Sequence, residues 1–165
     1  MSLAAGEFIR ASDIRDAAGL FVRKAASESV TSSAVLQNDD QLFLAVEANT
    51  VYFVEGLILY DGATAGDMKV AWTLPAGATF RYRHTGPATG LAGTSGDIDY
   101  REINEGDTLG LGAAGAGTTL VLVVQGVLSI GATAGTFQLQ WAQFASSATA
   151  TRVFAGSLLH AKKLA

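Results

Sequence analysis

The stretch Gly62-Ala63-Thr64-Ala65-Gly66 returns, 69 positions later, as Gly131-Ala132-Thr133-Ala134-Gly135. Each copy follows a long apolar run and precedes an alternation of apolar and polar residues that ends in Trp72 or Trp141. Glycine and other small residues favour tight turns, and a period of two is typical of β-strands. The sequence therefore predicts one strand–turn–strand hairpin used twice, at equivalent places in the fold. The alternative is that a favourable turn sequence merely recurs.

A period of two continues through most of the remaining chain. It places Trp72 on the strand face opposite Lys69, as in a sheet with one buried side. We therefore predict an all-β fold, an antiparallel β-sandwich of jelly-roll type with Trp72 and Trp141 in its core. Gly56 and Gly126 interrupt long strands and predict bulges or bends. The predicted strands are residues 29–36, 41–48, 50–60, 67–73, 79–84, 98–102, 108–112, 118–130, 136–144 and 149–159.

The N-terminal residues differ from the rest of the chain, and we predict an anchor segment over residues 1–28 and a sandwich domain over residues 29–165. Between Ser12 and Ala25, apolar residues recur at helical spacing, which favours a short amphipathic helix, with an extended segment as the alternative. A helix of this length that contains Gly19 is marginal alone in water, so it needs a surface on its own body or on another chain. The predicted anchoring residues are Ile14, Phe21 and Val22.

The composition argues against several classes of protein. The chain has no cysteine, which excludes disulfide frameworks, thiolate zinc sites and thiol nucleophiles. Residues 29–151 hold four Lys or Arg against eleven Asp or Glu. Such an acidic body argues against nucleic acid as a partner, because phosphate binding needs clustered bases. The longest strongly apolar stretch, residues 120–130, is too short for a membrane-spanning helix of roughly 20 residues, so we expect no membrane insertion.

No motif predicts catalysis or cofactor binding. The glycines of residues 110–115 match the dinucleotide-binding pattern, but a β-branched stretch follows where that motif needs a helix. The acidic residues between positions 97 and 107 are expected to form a solvated loop, with a weak calcium site or a contact for a basic partner as alternatives. Neither His84 nor His160 has a partner at a diagnostic spacing. We therefore expect no catalytic residues, no metal and no cofactor.

One predicted strand combines aromatic and basic residues in an otherwise acidic body. Aromatic and histidine side chains alternate there with Arg81 and Arg83. Core packing on one face and solvent on the other is the first interpretation, and a contact with carbohydrate or protein is the second. The predicted contact residues are Phe80, Arg81, Tyr82, Arg83 and Tyr100.

Several short blocks carry a family resemblance. They are Ser29-Val30-Thr31-Ser32-Ser33, Leu36-Gln37-Asn38-Asp39, Leu59-Tyr60-Asp61-Gly62-Ala63-Thr64, Leu74-Pro75-Ala76-Gly77-Ala78-Thr79 and Leu139-Gln140-Trp141-Ala142-Gln143, followed by Gly156-Ser157. Through these blocks, over roughly residues 29–159, the chain resembles small virion-associated structural proteins of actinobacteriophages, in which they recur in the same order.

The resemblance implies a non-enzymatic protein displayed on the surface of a phage particle. Its implied roles are capsid decoration or head fibre, anchored through the N-terminal segment. The expected partners are phage capsid or tail proteins and further copies of the chain, because such proteins are commonly homotrimers. A tail fibre, or a receptor-binding module that recognises a glycan on the host surface, is the alternative.

Overall fold

The structure is a computed structural model, and it describes residues 18–90, 97–99, 101–104 and 106–164. In these residues the chain forms β-strands that assemble into two antiparallel sheets. The strands are β1 (Leu20–Arg23), β2 (Glu28–Val30), β3 (Gln37–Val46), β4 (Val51–Asp61), β5 (Met68–Thr73), β6 (Thr79–Pro87), β7 (Ile98–Asp99), β8 (Glu102–Ile103), β9 (Leu109–Leu111), β10 (Leu120–Ser129), β11 (Gly135–Gln143), β12 (Thr151–Val153) and β13 (Leu158–Lys163).

The two sheets pack as a sandwich. The larger sheet has the order β1-β13-β4-β10-β6-β7, with β12 beside β4, β2 beside β12 and β8 beside β6, and the smaller sheet has the order β3-β11-β5-β9. The halves β1-β13-β4-β10 and β3-β11-β5-β9 together have the strand order of a jelly roll, and β6 extends the larger sheet. The predicted fold class is confirmed.

The repeated pentapeptide connects the two sheets. The first copy leads from β4 in the larger sheet to β5 in the smaller one, and the second leads in the same way from β10 to β11. The predicted hairpins are therefore wrong, because the strand after each turn pairs in the opposite sheet. The two copies do occupy equivalent places, since β4 pairs with β10 and β5 pairs with β11. Ala71 pairs with Gln140, its own equivalent in the repeat, so a pseudo-two-fold axis passes through this pair.

The two copies of the turn have different surroundings. Buried carboxylates flank the first copy: Asp61 accepts a 2.9 Å hydrogen bond from Arg152 Nε, and Asp67 accepts one of 2.8 Å from the Ala113 amide. The second copy, residues 131–135, is largely exposed. The same sequence therefore makes the same crossing, but only the first copy is bound to neighbouring loops by charged side chains.

The two predicted core tryptophans lie at different depths. Trp141 is fully buried, and its indole nitrogen donates a 3.1 Å hydrogen bond to Asp39. Trp72 is half-buried and packs against the core, stacked on Phe137 with a centroid separation of 4.7 Å and edge-on to Phe80 at 5.4 Å. Each such aromatic pair contributes about 0.5–1.5 kcal/mol beyond burial of its area. Trp141 is thus a central core residue and Trp72 lies at the core margin.

Gly56 and Gly126 do not mark bulges. The register of β4 against β10 runs through both glycines without a shift, so the predicted bulges are absent at these two positions. Both glycines lie at inward positions where a side chain would collide with its surroundings. A Cβ on Gly126 would lie 2.4 Å from the Arg81 carbonyl oxygen, and one on Gly56 would lie 3.0 Å from a methyl group of Leu159. These glycines allow close packing inside the sandwich.

In the described part of the chain the predicted N-terminal helix does not continue past Ala18, which is helical, and the extended alternative fits residues 20–23. Gly19 has φ 76, a left-handed conformation that ends a helix, and the next four residues pair with β13 as strand β1. Leu20 and Val22 pack against the core, whereas Phe21 is 61% exposed. Strand β2 crosses the predicted boundary after residue 28, so residues 20–28 belong to the sandwich. Ile14 lies outside the described residues.

A buried ion pair holds this N-terminal portion in place. Lys24 is fully buried, and its Nζ lies 2.8 Å from both carboxylate oxygens of Asp39 and 2.9 Å from Glu28. Asp39 also accepts hydrogen bonds from the Leu42 amide at 2.8 Å and from Trp141. Since Asp39 lies on β3, these contacts join the segment after β1 to the smaller sheet.

Three predicted strands are shorter or divided, and one of them is residues 98–102, whose ends belong to the separate strands β7 and β8. Residues 149–159 form the separate strands β12 and β13, because Gly156 adopts φ 96 in the turn between them. Ser157 then bridges to β4 through its side chain, whose Oγ accepts a 2.9 Å hydrogen bond from the Leu59 amide. Of residues 29–36, only the first two are in a strand.

Candidate functional site

The outer face of the larger sheet is unusually apolar. Burial alternates along β4 and β10, so every second residue points away from the core. Of ten such positions on the two strands, seven are large and apolar: Val51, Phe53, Leu57, Leu59, Val121, Val123 and Val127. We call this surface the apolar face. A sheet face that meets only water normally carries polar residues, so the composition indicates a surface with a partner.

The outer face of the smaller sheet has the opposite character. Its central strands β5 and β11 place no apolar residue larger than alanine at seven outward positions, which are Lys69, Ala71, Thr73, Thr136, Gln138, Gln140 and Ala142. This is the pattern expected for a solvated face. The two outer faces of one sandwich therefore differ, and the difference makes the larger sheet the candidate site.

A row of polar side chains crosses the middle of the apolar face. Cross-strand register aligns Arg83, Gln125, Glu55 and His160 on four neighbouring strands. Arg83 Nε donates to Gln125 Oε1 at 3.1 Å, Gln125 Nε2 donates to Glu55 Oε1 at 3.1 Å, and His160 Nδ1 lies 3.8 Å from Glu55. Each member of this polar row thus has a partner within the row.

A shallow groove of about 630 Å³ lies at one end of the apolar face. Phe53 and Val127 contribute apolar walls, and Arg81, Glu102 and Gln125 contribute polar ones. Arg81 and Glu102 form an ion pair across the groove, but both side chains are more than half exposed, so this pair contributes little to stability. The groove offers an apolar floor with polar edges.

The predicted contact strand is divided between core and surface. Arg81 and Arg83 are exposed and line the groove. Phe80 and Tyr82 were expected at the surface contact, but this prediction is wrong: they are 0% and 2% exposed and stack on each other at 4.6 Å inside the sandwich. The reason is the period of two along β6, which turns them inward. Tyr100 lies outside the described residues.

The core beneath β6 contains a histidine with little polar compensation. His84 is fully buried, and among the residues that the structure describes neither ring nitrogen has a hydrogen-bond partner. Its Nε2 lies 3.5 Å from Asp99. Burial lowers the pKa of His84, Asp99 partly opposes this shift by attraction, and Arg101 reinforces it by repulsion. His84 is therefore neutral at pH 7 in the folded protein.

We expect acid to destabilise the protein through His84. In the unfolded chain this side chain takes up a proton near pH 6.5, whereas the folded protein resists protonation until the pH is lower. The stability that neutral His84 contributes is therefore fully present above pH 6.5, and it is lost as the pH decreases towards the lowered pKa. Urea unfolding at pH 7.5, 6.0 and 5.0 measures this effect, and His84→Leu should flatten the dependence. An equal pH dependence in both proteins would contradict the assignment to His84.

The described acidic side chains between positions 97 and 107 contact residues close to them in the structure. Glu102 pairs with Arg81, Asp99 lies 3.4 Å from Arg101, and Asp107 accepts a hydrogen bond from the Asn104 amide. Within the described residues, no three His, Asp or Glu side chains are placed to hold a metal ion.

Sequence reasoning missed the apolar face and the polar row. A signal was present, because residues 51–60 are apolar at both odd and even positions apart from Glu55 and Gly56. A strand with one solvated side alternates instead, so a continuous apolar run predicts cover on both sides. The polar row could not be found in this way, since its members come from four strands whose register only the folded structure defines.

Comparisons with known proteins give little information. No protein-family model matches the chain, and no curated protein matches it. Among solved structures, the chain matches one from the structure of infectious bursal disease virus Gt strain, with 12% identity and a TM-score of 0.21. The match covers 88% of this chain and 40% of that chain, so this chain spans less than half the length of its match. Values this low do not establish a relationship.

In the part of the chain that the structure describes, no helix is long and apolar enough to cross a bilayer.

Proposed function

We propose that this chain is a non-enzymatic structural protein displayed on the surface of a bacteriophage particle, as a capsid decoration or head fibre. The main observation that supports this proposal is the jelly-roll strand order, because this architecture is common to viral capsid and lectin domains. The sequence blocks shared with virion-associated proteins favour the virion role over the lectin role.

The proposed attachment point is the N-terminal end of β1. Among the described strands, β1 lies at the edge of the larger sheet and pairs with β13 alone. Phe21 points outward and is 61% exposed, so it is free to contact another protein, whereas Val22 packs against the core. Of the predicted anchoring residues, Phe21 and the segment before Ala18 are therefore the ones assigned to docking.

Deletion of residues 1–17 should remove the chain from purified phage particles. This deletion leaves β1 and the Lys24–Asp39 ion pair in place, so the urea midpoint of the purified variant should equal that of the wild type. Incorporation is measured by quantitative immunoblotting of gradient-purified particles. The matched point substitutions are Phe21→Ala, which should reduce incorporation, and Phe43→Ala on the smaller sheet, which should not. Wild-type incorporation of the deletion variant would contradict the anchor.

A receptor-binding module is the competing function, and the groove beside Arg81 is the observation that favours it. Its apolar floor and polar edges suit a sugar ring. Two features weaken it: Arg81 is already paired with Glu102, and Arg83 is already bonded to Gln125. A glycan array probed with the full chain tests this function, and Arg83→Ala should abolish any genuine signal.

A further inference from the structure

We propose that the apolar face packs against the same face of a second copy of this chain, about a two-fold axis parallel to the strands. This inference concerns the purified protein and does not depend on attachment to a particle. It rests on the size of the face, on its self-complementarity and on the internal pairing of its polar row.

The size of the face fits a stable dimer. Together β13, β4, β10 and β6 hold 36 residues, and with a rise of about 3.3 Å per residue and a spacing of about 4.8 Å they cover a flat area of about 600 Å², of which the apolar face on β4 and β10 takes about 330 Å². A standard protein interface takes about 800 Å² of accessible surface from each partner, and side chains raise the accessible area above the flat one. Contiguous apolar patches on monomers rarely exceed a few hundred Å². A second copy would cover the whole face.

The cross-strand register makes the face complementary to itself. A two-fold axis that runs between β4 and β10 exchanges the positions of these two strands in the opposing copy. Residues paired across the strands then also oppose each other between copies, and Phe53 pairs with Val127, Leu57 with Val123 and Leu59 with Val121. Six of the seven apolar side chains on one copy therefore meet an apolar side chain on the other, whereas Val51 meets Ser129. Isologous interfaces of dimers have this property.

The polar row does not oppose this packing. In the same arrangement Gln125 of one copy lies opposite Glu55 of the other, an amide against a carboxylate. Burial of polar groups is costly when they lose their hydrogen bonds. Gln125 is already bonded to Arg83 and Glu55 within its own chain, so its amide keeps both bonds when the row is buried. The same arrangement places Arg83 of one copy opposite His160 of the other, at the two ends of the row.

The charged side chains at the edge of the proposed interface are partly neutralised within each copy. Within one chain, Arg81 pairs across the strands with Val127, and Lys162 pairs with Phe53. Because the two-fold axis places Phe53 of one copy opposite Val127 of the other, Arg81 of one copy lies near Lys162 of the other. These like charges would repel, but Arg81 is already paired with Glu102. Both positions lie at the exposed margin, where solvent screens the repulsion.

The mass of the full-length protein in solution is the first test. Light scattering after size exclusion should give twice the 17.0 kDa chain mass for the wild type, and Val127→Glu should reduce it to one chain. Phe43→Glu is the matched control, because Phe43 is 45% exposed on the smaller sheet and Val127 is 43% exposed on the larger one. The control should keep the wild-type mass. A wild-type mass of one or three chains, or a folded Val127→Glu that stays dimeric, would overturn the proposal.

Thiol labelling provides a second test that avoids a charged substitution. The chain has no cysteine, so Val127→Cys and Phe43→Cys each carry a single thiol. Well above the dimer Kd, the thiol at position 127 should react with a maleimide about tenfold more slowly than the one at position 43, since only dissociated chains react there. Equal rates would show the face open to solvent and overturn the proposal. Glycan binding that Val127→Glu abolishes in a monomeric wild type would assign the face to a sugar instead.

Discussion

Replacement of Lys24 by alanine is expected to lower the free energy of unfolding by about 3–5 kcal/mol. Lys24 and Asp39 are both fully buried, and their charges lie 2.8 Å apart. The substitution leaves the Asp39 carboxylate in the core with hydrogen bonds but without its counter-charge. Domains of this kind have only about 5–15 kcal/mol of stability in total. Urea unfolding followed by circular dichroism measures the loss.

The control for this prediction is Lys69→Ala, which removes a lysine from an outward position on β5 and should change stability by no more than about 0.5 kcal/mol. A double-mutant cycle with Asp39→Ala isolates the interaction. Each single substitution leaves the other charge buried without a partner. The double variant should therefore lose at least about 1 kcal/mol less unfolding free energy than the sum of the two single losses. Additive losses would mean that the pair does not stabilise the fold.

The second large effect is expected at Gly126. A Cβ there would lie 2.4 Å from the Arg81 carbonyl oxygen and 2.7 Å from the Tyr82 Cα. Both are backbone atoms of β6, the strand paired with β10, so neither can move without separating the two strands. Gly126→Ala should therefore lower the free energy of unfolding by about 3 kcal/mol or more, which is at least as much as the larger losses seen when extra methyl groups are forced into a packed core. The midpoint of thermal unfolding measures this cost.

Gly56 is the matched control, because it lies on the paired strand β4 and also faces inward. Its added Cβ would meet the end of the Leu159 side chain at 3.0 Å, which can rotate away. Gly56→Ala should cost about 1 kcal/mol. Equal losses at Gly56 and Gly126 would contradict the idea that close backbone approach, rather than glycine flexibility, explains Gly126.

Local pattern was enough to predict most strands and the inward direction of their side chains. A period of two follows from strand geometry alone, so the alternation around Trp72 and along β6 was visible in the sequence. The same rule, applied consistently, would have turned Phe80 and Tyr82 into the core and left Arg81 and Arg83 outside. The first interpretation of this strand, core packing on its aromatic face and solvent on the other, is therefore confirmed, and the alternative surface contact is wrong for Phe80 and Tyr82.

Features that depend on pairing between distant strands could not be predicted. A small-residue turn serves a hairpin and a crossing between sheets equally well, so nothing in residues 62–66 or 131–135 reveals that they connect opposite sheets. Burial of Lys24 is a similar case, because its counter-charge Asp39 lies on a strand of the other sheet. Helical spacing near the N-terminus was misleading, since pairing with β13 buries Leu20 and Val22 more effectively than an isolated turn could.

The most direct test of the virion proposal is immunogold electron microscopy of intact phage particles with an antibody against residues 29–165. We expect gold label on the outside of the particles, over the head, at a density that falls to background when residues 1–17 are deleted. Absence of label from intact particles, with the chain recovered only in the unassembled fraction of the lysate, would contradict the proposal.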